Sequence, residues 1–208
     1  MKTLTQDNKK NPFVGFTSNQ PREIVILDPT IPDSHHLVEG IKPNTETYIL
    51  SSQPNAIEQI TTILAQRQGI AALHIISHGA PGHIQLGNTQ LNSQTLPHYS
   101  QQIQQWRNSL TADAEIIIYG CNVAATTDDL TTDNQKPNHP PTTYPLHPVH
   151  CSLPNFLTQL HQLTGAKIAA NAHPTGNSKL GGNWNISQLI PRSSHRPKLA
   201  IVETTLKT

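Results

Sequence analysis

The chain has 208 residues and a formal net charge of +1, and only 13% of its residues are charged. That length suits one domain with a sizeable core. The weak charge, without any cluster of lysine and arginine, argues against nucleic acid or an anionic membrane as a partner. No apolar stretch reaches the roughly 18 residues of a transmembrane span, and the N-terminus lacks the apolar segment of a secretory signal. The expected location is the cytoplasm, or the cell surface or exterior if the chain belongs to a larger exported protein.

The first half of the chain predicts short buried strands joined by polar loops. Residues 1–21 are polar and predict a flexible arm, and residues 29–45 contain three prolines and predict a loop. A helix with one apolar face is predicted from Asn55 to about Arg67. Continuous or alternating apolar runs predict strands at 23–28, 47–52 and 72–76 and a hairpin over 83–91.

The second half continues the alternation of helices and strands. A helix capped by Asn92 or Ser93 is predicted to run to about Leu110, and another is predicted from Phe156 to Gly165. Strands are predicted at 115–119 and 167–171, with a candidate edge strand at 199–202 in a C-terminal tail of 191–208. Alternating strands and helices favour one α/β domain over 22–190, with a mostly parallel sheet covered on both faces. The polar residues 125–152 interrupt this domain as an insertion.

Two of the predicted strands end in residues that can do chemistry. The strand at 72–76 leads into Ser77-His78-Gly79, and the strand at 115–119 leads into Gly120-Cys121-Asn122. Ligands of parallel sheets bind outside the carboxyl ends of the strands. A cysteine nucleophile there needs a base such as histidine within hydrogen-bond reach. The backbone N–H groups of Gly79 and Cys121 are candidate donors to an oxyanion.

The order strand, His-Gly, hairpin, helix, strand and Cys resembles the caspase-like (clan CD) superfamily of cysteine peptidases. The segments LHIISHGAPGHIQLGNTQL, EIIIYGCNVA and TGNSKLGGNWNI are also similar to the bacterial family called domain of unknown function 4347, which occurs in large surface or adhesin-like proteins. The resemblance implies a caspase-like three-layer α/β sandwich with five to six strands in its central sheet.

The resemblance also implies a cysteine endopeptidase that acts on a peptide or protein substrate without a cofactor or metal. His78 would be the general base and acid, and Cys121 the nucleophile. The residues expected to contact substrate or oxyanion are Gly79, Gly120, Ser77, Asp28 and Asn122.

The 125–152 insertion departs from the family pattern, in which a helix follows the cysteine block almost directly. Asp128, Asp129 and Asp133 lie where caspases are cleaved during activation, but a solvated spacer explains the insertion equally well. His139, His147, His150 and Cys151 are close in sequence, yet their spacing fits no established zinc pattern.

Two further readings of the strand ends stay open. The chain is either a peptidase or a non-catalytic binding or assembly module that keeps the fold, and Cys121 could also be an inert buried thiol. Two cysteines do not make a disulfide scaffold, so reduced thiols are expected. His74 lies between apolar neighbours and is expected to be a hydrogen-bonded core residue.

Overall fold

The structure is a computed structural model and describes residues 22–32, 34–51, 55–125, 155–176 and 183–201. The arm predicted at 1–21 and the insertion beyond Ala125 lie outside these ranges. The described residues form a mixed α/β fold around a six-stranded sheet, accompanied by a separate three-stranded sheet. Within these ranges no helix has both the length and the apolar character to cross a membrane.

The strands and helices alternate along most of the described chain. The strands are β1 (Arg22–Leu27), β2 (Thr45–Ile49), β3 (Ile70–Ile76), β4 (His78–Ala80), β5 (His83–Leu86), β6 (Thr89–Asn92), β7 (Leu110–Tyr119), β8 (Lys167–Ala170) and β9 (Gln188–Ile190). The helices are α1 (Ser34–Glu39), α2 (Ala56–Ala65), α3 (Ser100–Trp106) and α4 (Phe156–Thr164), with a 3₁₀ turn at Leu96–Tyr99 before α3.

The large sheet has the order β2-β1-β3-β7-β8-β9, and every neighbouring pair except β8–β9 is parallel. The mostly parallel sheet predicted from the sequence is therefore confirmed. Strands β3 and β7 are central neighbours, with Ile76 opposite Tyr119 at their carboxyl ends. The segments that follow these two strands, which carry His78 and Cys121, consequently leave the same edge of the sheet side by side.

Strands that are buried on both faces explain the continuous apolar runs in the sequence. In β1, Ile24 and Ile26 face one core, while Val25 and Leu27 face the other, and all four are fully buried. Helices α2, α3 and α4 and the small sheet cover the first face. The second face is covered by α1 together with residues around Trp184–Leu189 and Leu199–Ile201.

Side-chain caps mark the N-terminal ends of helices α2 and α4. Asn55 Oδ1 accepts a hydrogen bond from the backbone of Ile57 at the start of α2, and Asn155 Oδ1 accepts one from Thr158 at the start of α4. Gly165 ends α4 with a φ of 72°, a left-handed conformation that glycine adopts without steric cost. These three boundaries confirm the helix limits predicted from the sequence.

Several local predictions were wrong. The loop at 29–45 contains the short helix α1, and β2 ends at Ile49. The helix predicted from 92 or 93 to 110 is shorter, because the side chain of Asn92 accepts from the backbone of Gln94 and Thr95 and so forms a turn. Strand β7 already begins at Leu110, and the segment predicted as the edge strand 199–202 forms only one bridge in its described part, between Ile41 and Ile201.

A buried polar chain crosses the second face of the sheet. His74 is fully buried, and its Nδ1 lies 3.0 Å from the hydroxyl of Tyr119 on the adjacent strand. The same hydroxyl accepts the backbone N–H of Ala200 at 3.3 Å. On the other side of the ring, His74 Nε2 lies 3.7 Å from the carboxylate of Glu23. The expectation of a hydrogen-bonded core histidine is confirmed.

Removal of the Tyr119 hydroxyl is expected to destabilise the fold. Tyr119→Phe leaves His74 Nδ1 and the Ala200 N–H without their partner, and each unpaired buried group costs about 1–3 kcal/mol. Urea unfolding measures the loss. Tyr99→Phe is the control, because its hydroxyl only accepts one part-buried bond from Asn55. Equal stabilities of the two variants would contradict the role given to Tyr119.

Glu23 is expected to make stability depend on pH in the acid range. The adjacent His74 ring lowers the pKa of Glu23 below its usual 4.5, against the opposing effect of partial burial. A carboxyl group with a depressed folded-state pKa stabilises the protein above its unfolded pKa, and this contribution is lost as pH falls through the folded pKa. Urea unfolding between pH 3 and 6 should therefore be less pH-dependent in Glu23→Gln, whereas Glu58→Gln, at an exposed position of α2, should keep the wild-type slope.

Candidate active site

The carboxyl edge of the large sheet brings the predicted reactive residues together. Asp28 follows β1, His78 follows β3 after one residue, and Cys121 follows β7 after one residue. Backbone bonds continue the parallel pairing just past the strand ends, from Asp28 N to Ile76 O (2.9 Å) and from Ser77 N to Tyr119 O (3.1 Å). The histidine and cysteine segments are therefore held in register at one edge.

Two glycines allow these segments to touch. A Cβ atom on Gly79 would lie 2.6 Å from Val123 Cγ2 and 3.0 Å from both the N and the O of Cys121. A Cβ atom on Gly120 would lie 2.8 Å from Val123 Cγ2 and 3.3 Å from Gly79 Cα. Contacts below 3.0 Å are too short for a real Cβ atom. The backbones after His78 and before Cys121 are consequently closer than any larger residue would permit.

His78 is exposed at the rim of this edge and opens the small sheet as the first residue of β4. Its Nε2 lies 3.4 Å from the carbonyl oxygen of Thr30, in the turn that follows β1. With the ring proton on Nε2 directed at that carbonyl, Nδ1 is left as the basic nitrogen.

Cys121 is a half-buried free thiol. Its Sγ lies 3.5 Å from the carbonyl oxygen of Thr175, and the Thr175 hydroxyl donates to the carbonyl of Gly120 at 3.1 Å. His78 and Cys121 make no hydrogen bond to each other, although both are within the described residues. The Cys121 thiol is therefore directed at the Thr175 carbonyl in this structure, and its side chain must turn before it can reach His78.

The backbone after Cys121 turns sharply back over the sheet. Asn122 has a φ of +58°, a left-handed conformation that asparagine tolerates better than most residues. Its N–H donates to His173 O at 3.1 Å, and the N–H of Ala124 donates to Asn171 O at 3.0 Å. No backbone carbonyl in the described part of the chain accepts the N–H of Cys121 itself.

Asp28 and Ser77 lie below the surface of this edge. Asp28 is fully buried, and its Oδ1 accepts from both the backbone N–H and the hydroxyl of Thr30 at 2.8 Å. Asp28 Oδ2 and Ser77 Oγ are buried without a hydrogen-bond partner among the described residues. The two side chains therefore do not face a substrate directly, in contrast to Gly79, Gly120 and Asn122 beside Cys121.

Other chemistry is located away from this edge or beyond the described residues. No three His, Cys, Asp or Glu side chains within the described ranges could hold a metal ion. The histidines and cysteine considered for zinc, at 139–151, lie outside those ranges. A cleft of about 440 Å³ beside β9 and one of about 310 Å³ at the amino ends of the strands are lined by neither His78 nor Cys121. The first cleft is lined by Ser193, Ser194 and His195, and the second includes the Glu115–His195 ion pair.

The sequence did not predict the residues that hold the two reactive side chains. Thr30, His173 and Thr175 contact the dyad segments through backbone carbonyls, which any residue type supplies. The hydroxyls of Thr30 and Thr175 add bonds to Asp28 and Gly120 that no sequence pattern indicated. Val123 contributes a methyl group against Gly79 and Gly120. The sequence feature that could have indicated this packing role is an apolar residue two positions after Cys121, in a segment that otherwise resembles a loop.

Substitution of Gly79 should damage both the fold and the site. In Gly79→Ala the new methyl group meets the Cys121 backbone as well as Val123, so the segments must separate. We expect a loss of about 2 kcal/mol or more in unfolding free energy and a changed alkylation rate of Cys121. Gly82→Ala is the control, because its φ of +71° costs about 1–2 kcal/mol but no atom lies within 4 Å of its added methyl group. An unchanged Cys121 rate in Gly79→Ala would show that the close approach is unimportant.

Comparison with protein families matches residues 24–132 and 154–208 to a Domain of unknown function (DUF4347), which leaves 133–153 outside the match. No curated protein matches the chain. No solved structure matches it either. The family match covers well over half of the chain and includes both strand ends with His78 and Cys121. The chain therefore belongs to the DUF4347 family.

Proposed function

We propose that this domain is a caspase-like cysteine endopeptidase, with a caspase-like three-layer sandwich as its fold, in which Cys121 is the nucleophile and His78 the general base and acid. The observation that carries the proposal is the contact between the two strand-end segments. Strands β3 and β7 are parallel neighbours, and Gly79 lies against the backbone of Cys121. A histidine and a cysteine are thereby held at one edge, where parallel sheets bind ligands.

His78 is suited to proton transfer by its exposure and its orientation. The Thr30 carbonyl lies near Nε2, so that Nδ1 is available as a base. No carboxylate hydrogen-bonds to the ring within the described residues, so the orienting group is a neutral carbonyl. The carbonyl can accept from the Nε2 proton whether or not Nδ1 is protonated, so it can orient the ring through both proton transfers.

The reaction begins when the Cys121 thiol gives its proton to His78. The thiolate attacks the carbonyl carbon of the scissile peptide, a C–S bond forms, and the carbonyl oxygen becomes an oxyanion. As the C–N bond breaks, the His78 imidazolium protonates the leaving amine. Water that is deprotonated by His78 then attacks the thioester, releases the new carboxyl group and restores the thiol. These steps consume only water and need no cofactor.

Backbone donors at the glycine contact would stabilise the oxyanion. The Cys121 N–H is free of backbone acceptors in the described residues, and Gly79 adjoins it. Gly79 and Gly120 let the two backbones approach closely, so that the N–H groups of Gly79 and Cys121 can lie near one oxyanion. Removal of one such donor typically costs 10²- to 10³-fold in rate, about 3–4 kcal/mol.

The first experiment measures the alkylation rate of Cys121 by iodoacetamide from pH 5 to 9, with peptide-level mass spectrometry to separate it from Cys151. An ordinary thiol has a pKa of about 8.5 and is only about 1% ionised at pH 6.5. Pairing with His78 should raise the wild-type rate at pH 6.5 by on the order of tenfold or more over His78→Ala. A peptide-library screen then tests turnover, which Cys121→Ala should abolish.

The control is His98→Ala, which removes an exposed histidine from the 3₁₀ turn and should keep the wild-type profile. Slow labelling that His78→Ala does not change would contradict the dyad and favour the binding-module reading. Fast, His78-dependent labelling with no cleaved peptide would support the dyad but reject an endopeptidase that is active in this form. Labelling only after unfolding would identify Cys121 as an inert thiol.

A further inference from the structure

The two strands that flank β3 and β7 end in similar turns. After β1, Asp28 Oδ1 accepts from the backbone N–H and the hydroxyl of Thr30, both at 2.8 Å. After β8, Asn171 Oδ1 accepts from the backbone N–H of His173 at 3.1 Å. The side chain of a strand-end residue thus folds the chain back two residues later on each side of the candidate dyad.

Each turn presents a backbone carbonyl to one half of the dyad. On the β1 side, Thr30 O lies 3.4 Å from His78 Nε2. On the β8 side, His173 O accepts the N–H of Asn122, the residue that follows Cys121, at 3.1 Å. The histidine and the cysteine segments are consequently held from opposite sides, by turns that do not share a residue.

Both turn-forming side chains are almost completely buried, with 0% exposure for Asp28 and 1% for Asn171. Asn171 Nδ2 donates to Asn183 Oδ1 at 3.0 Å, but Asp28 Oδ2 has no partner among the described residues. An unpaired buried oxygen costs stability. A contribution to fold stability therefore does not explain a carboxylate at position 28. The position of Thr30, in contrast, depends directly on the Asp28 side chain.

We infer that Asp28 and Asn171 are positioning residues, Asp28 for the His78 ring through Thr30 and Asn171 for the Cys121 segment through His173. This inference rests on the proposed function for its catalytic meaning. Neither residue touches the reacting atoms. Each acts by fixing a carbonyl that holds one member of the dyad, so that loss of either turn separates imidazole and thiol independently of the other.

The test uses Asp28→Ala and Asn171→Ala, which remove the acceptor of each turn, beside Asp28→Asn, which keeps it. We expect the alanine variants to lose on the order of 10- to 100-fold in Cys121 alkylation rate at pH 6.5, and Asp28→Asn to keep most of the wild-type rate. Asn92→Ala is the matched control, because it removes a turn of the same kind after β6 with no contact to the dyad.

A second readout is independent of catalysis and uses the Cys121→Ser background. The nitrogen chemical shifts of His78 should report one dominant tautomer, which Asp28→Ala converts to a mixture and Asn171→Ala leaves unchanged. Amide exchange at Asn122 should accelerate in Asn171→Ala but not in Asp28→Ala. If His78→Ala leaves the Cys121 labelling rate unchanged while the tautomer and exchange changes appear, the peptidase proposal fails and the positioning roles stand. If the tautomer and the exchange rates do not respond, the positioning inference is wrong whatever the labelling shows.

Discussion

The close contact between Gly79 and the Gly120–Cys121 backbone is the constraint on which the rest of the edge depends. Parallel pairing of β3 with β7 brings the two segments to the same edge, but strand pairing alone leaves room for side chains between them. The absence of a Cβ atom at both glycines lets the backbones meet, and Val123 fills the remaining space from the side. Everything proposed for His78 and Cys121 follows from that approach, because neither side chain is held by the other.

The two faces of the sheet differ in where their buried polar groups lie. On the second face the Tyr119 hydroxyl contacts His74 and accepts the N–H of Ala200, so that the buried tyrosine joins the strands to the C-terminal segment. On the first face the strand residues beneath the helices are hydrophobic, and buried hydroxyl groups such as those of Ser109 and Thr164 donate to helix carbonyls. The candidate reactive side chains His78 and Cys121 come only after the strands end.

The sequence predicted the parallel sheet because short continuous apolar runs such as 23–28 and 115–119 are typical of strands that are buried on both faces. It also placed His78 and Cys121 at one edge, since both follow such runs. It missed α1, whose six residues contain too few apolar positions to show a period. It missed the start of β7 as well, because residues 111–113 are exposed and contain no large apolar side chain. The carbonyls of Thr30 and Thr175 could not be predicted, since backbone atoms have no residue signature.

The buried unpaired atoms give an independent argument for function at the carboxyl edge. Among the described residues, the buried side-chain atoms without a hydrogen-bond partner are Asp28 Oδ2, His74 Nε2 and Ser77 Oγ. His74 Nε2 at least faces Glu23 at 3.7 Å. Asp28 and Ser77 directly follow the adjacent strands β1 and β3, at the edge that carries the proposed dyad. Each unpaired buried atom costs about 1–3 kcal/mol, so stability alone does not account for these two side chains. The proposed site would account for their position, because a fixed arrangement of reacting groups can offset such a cost.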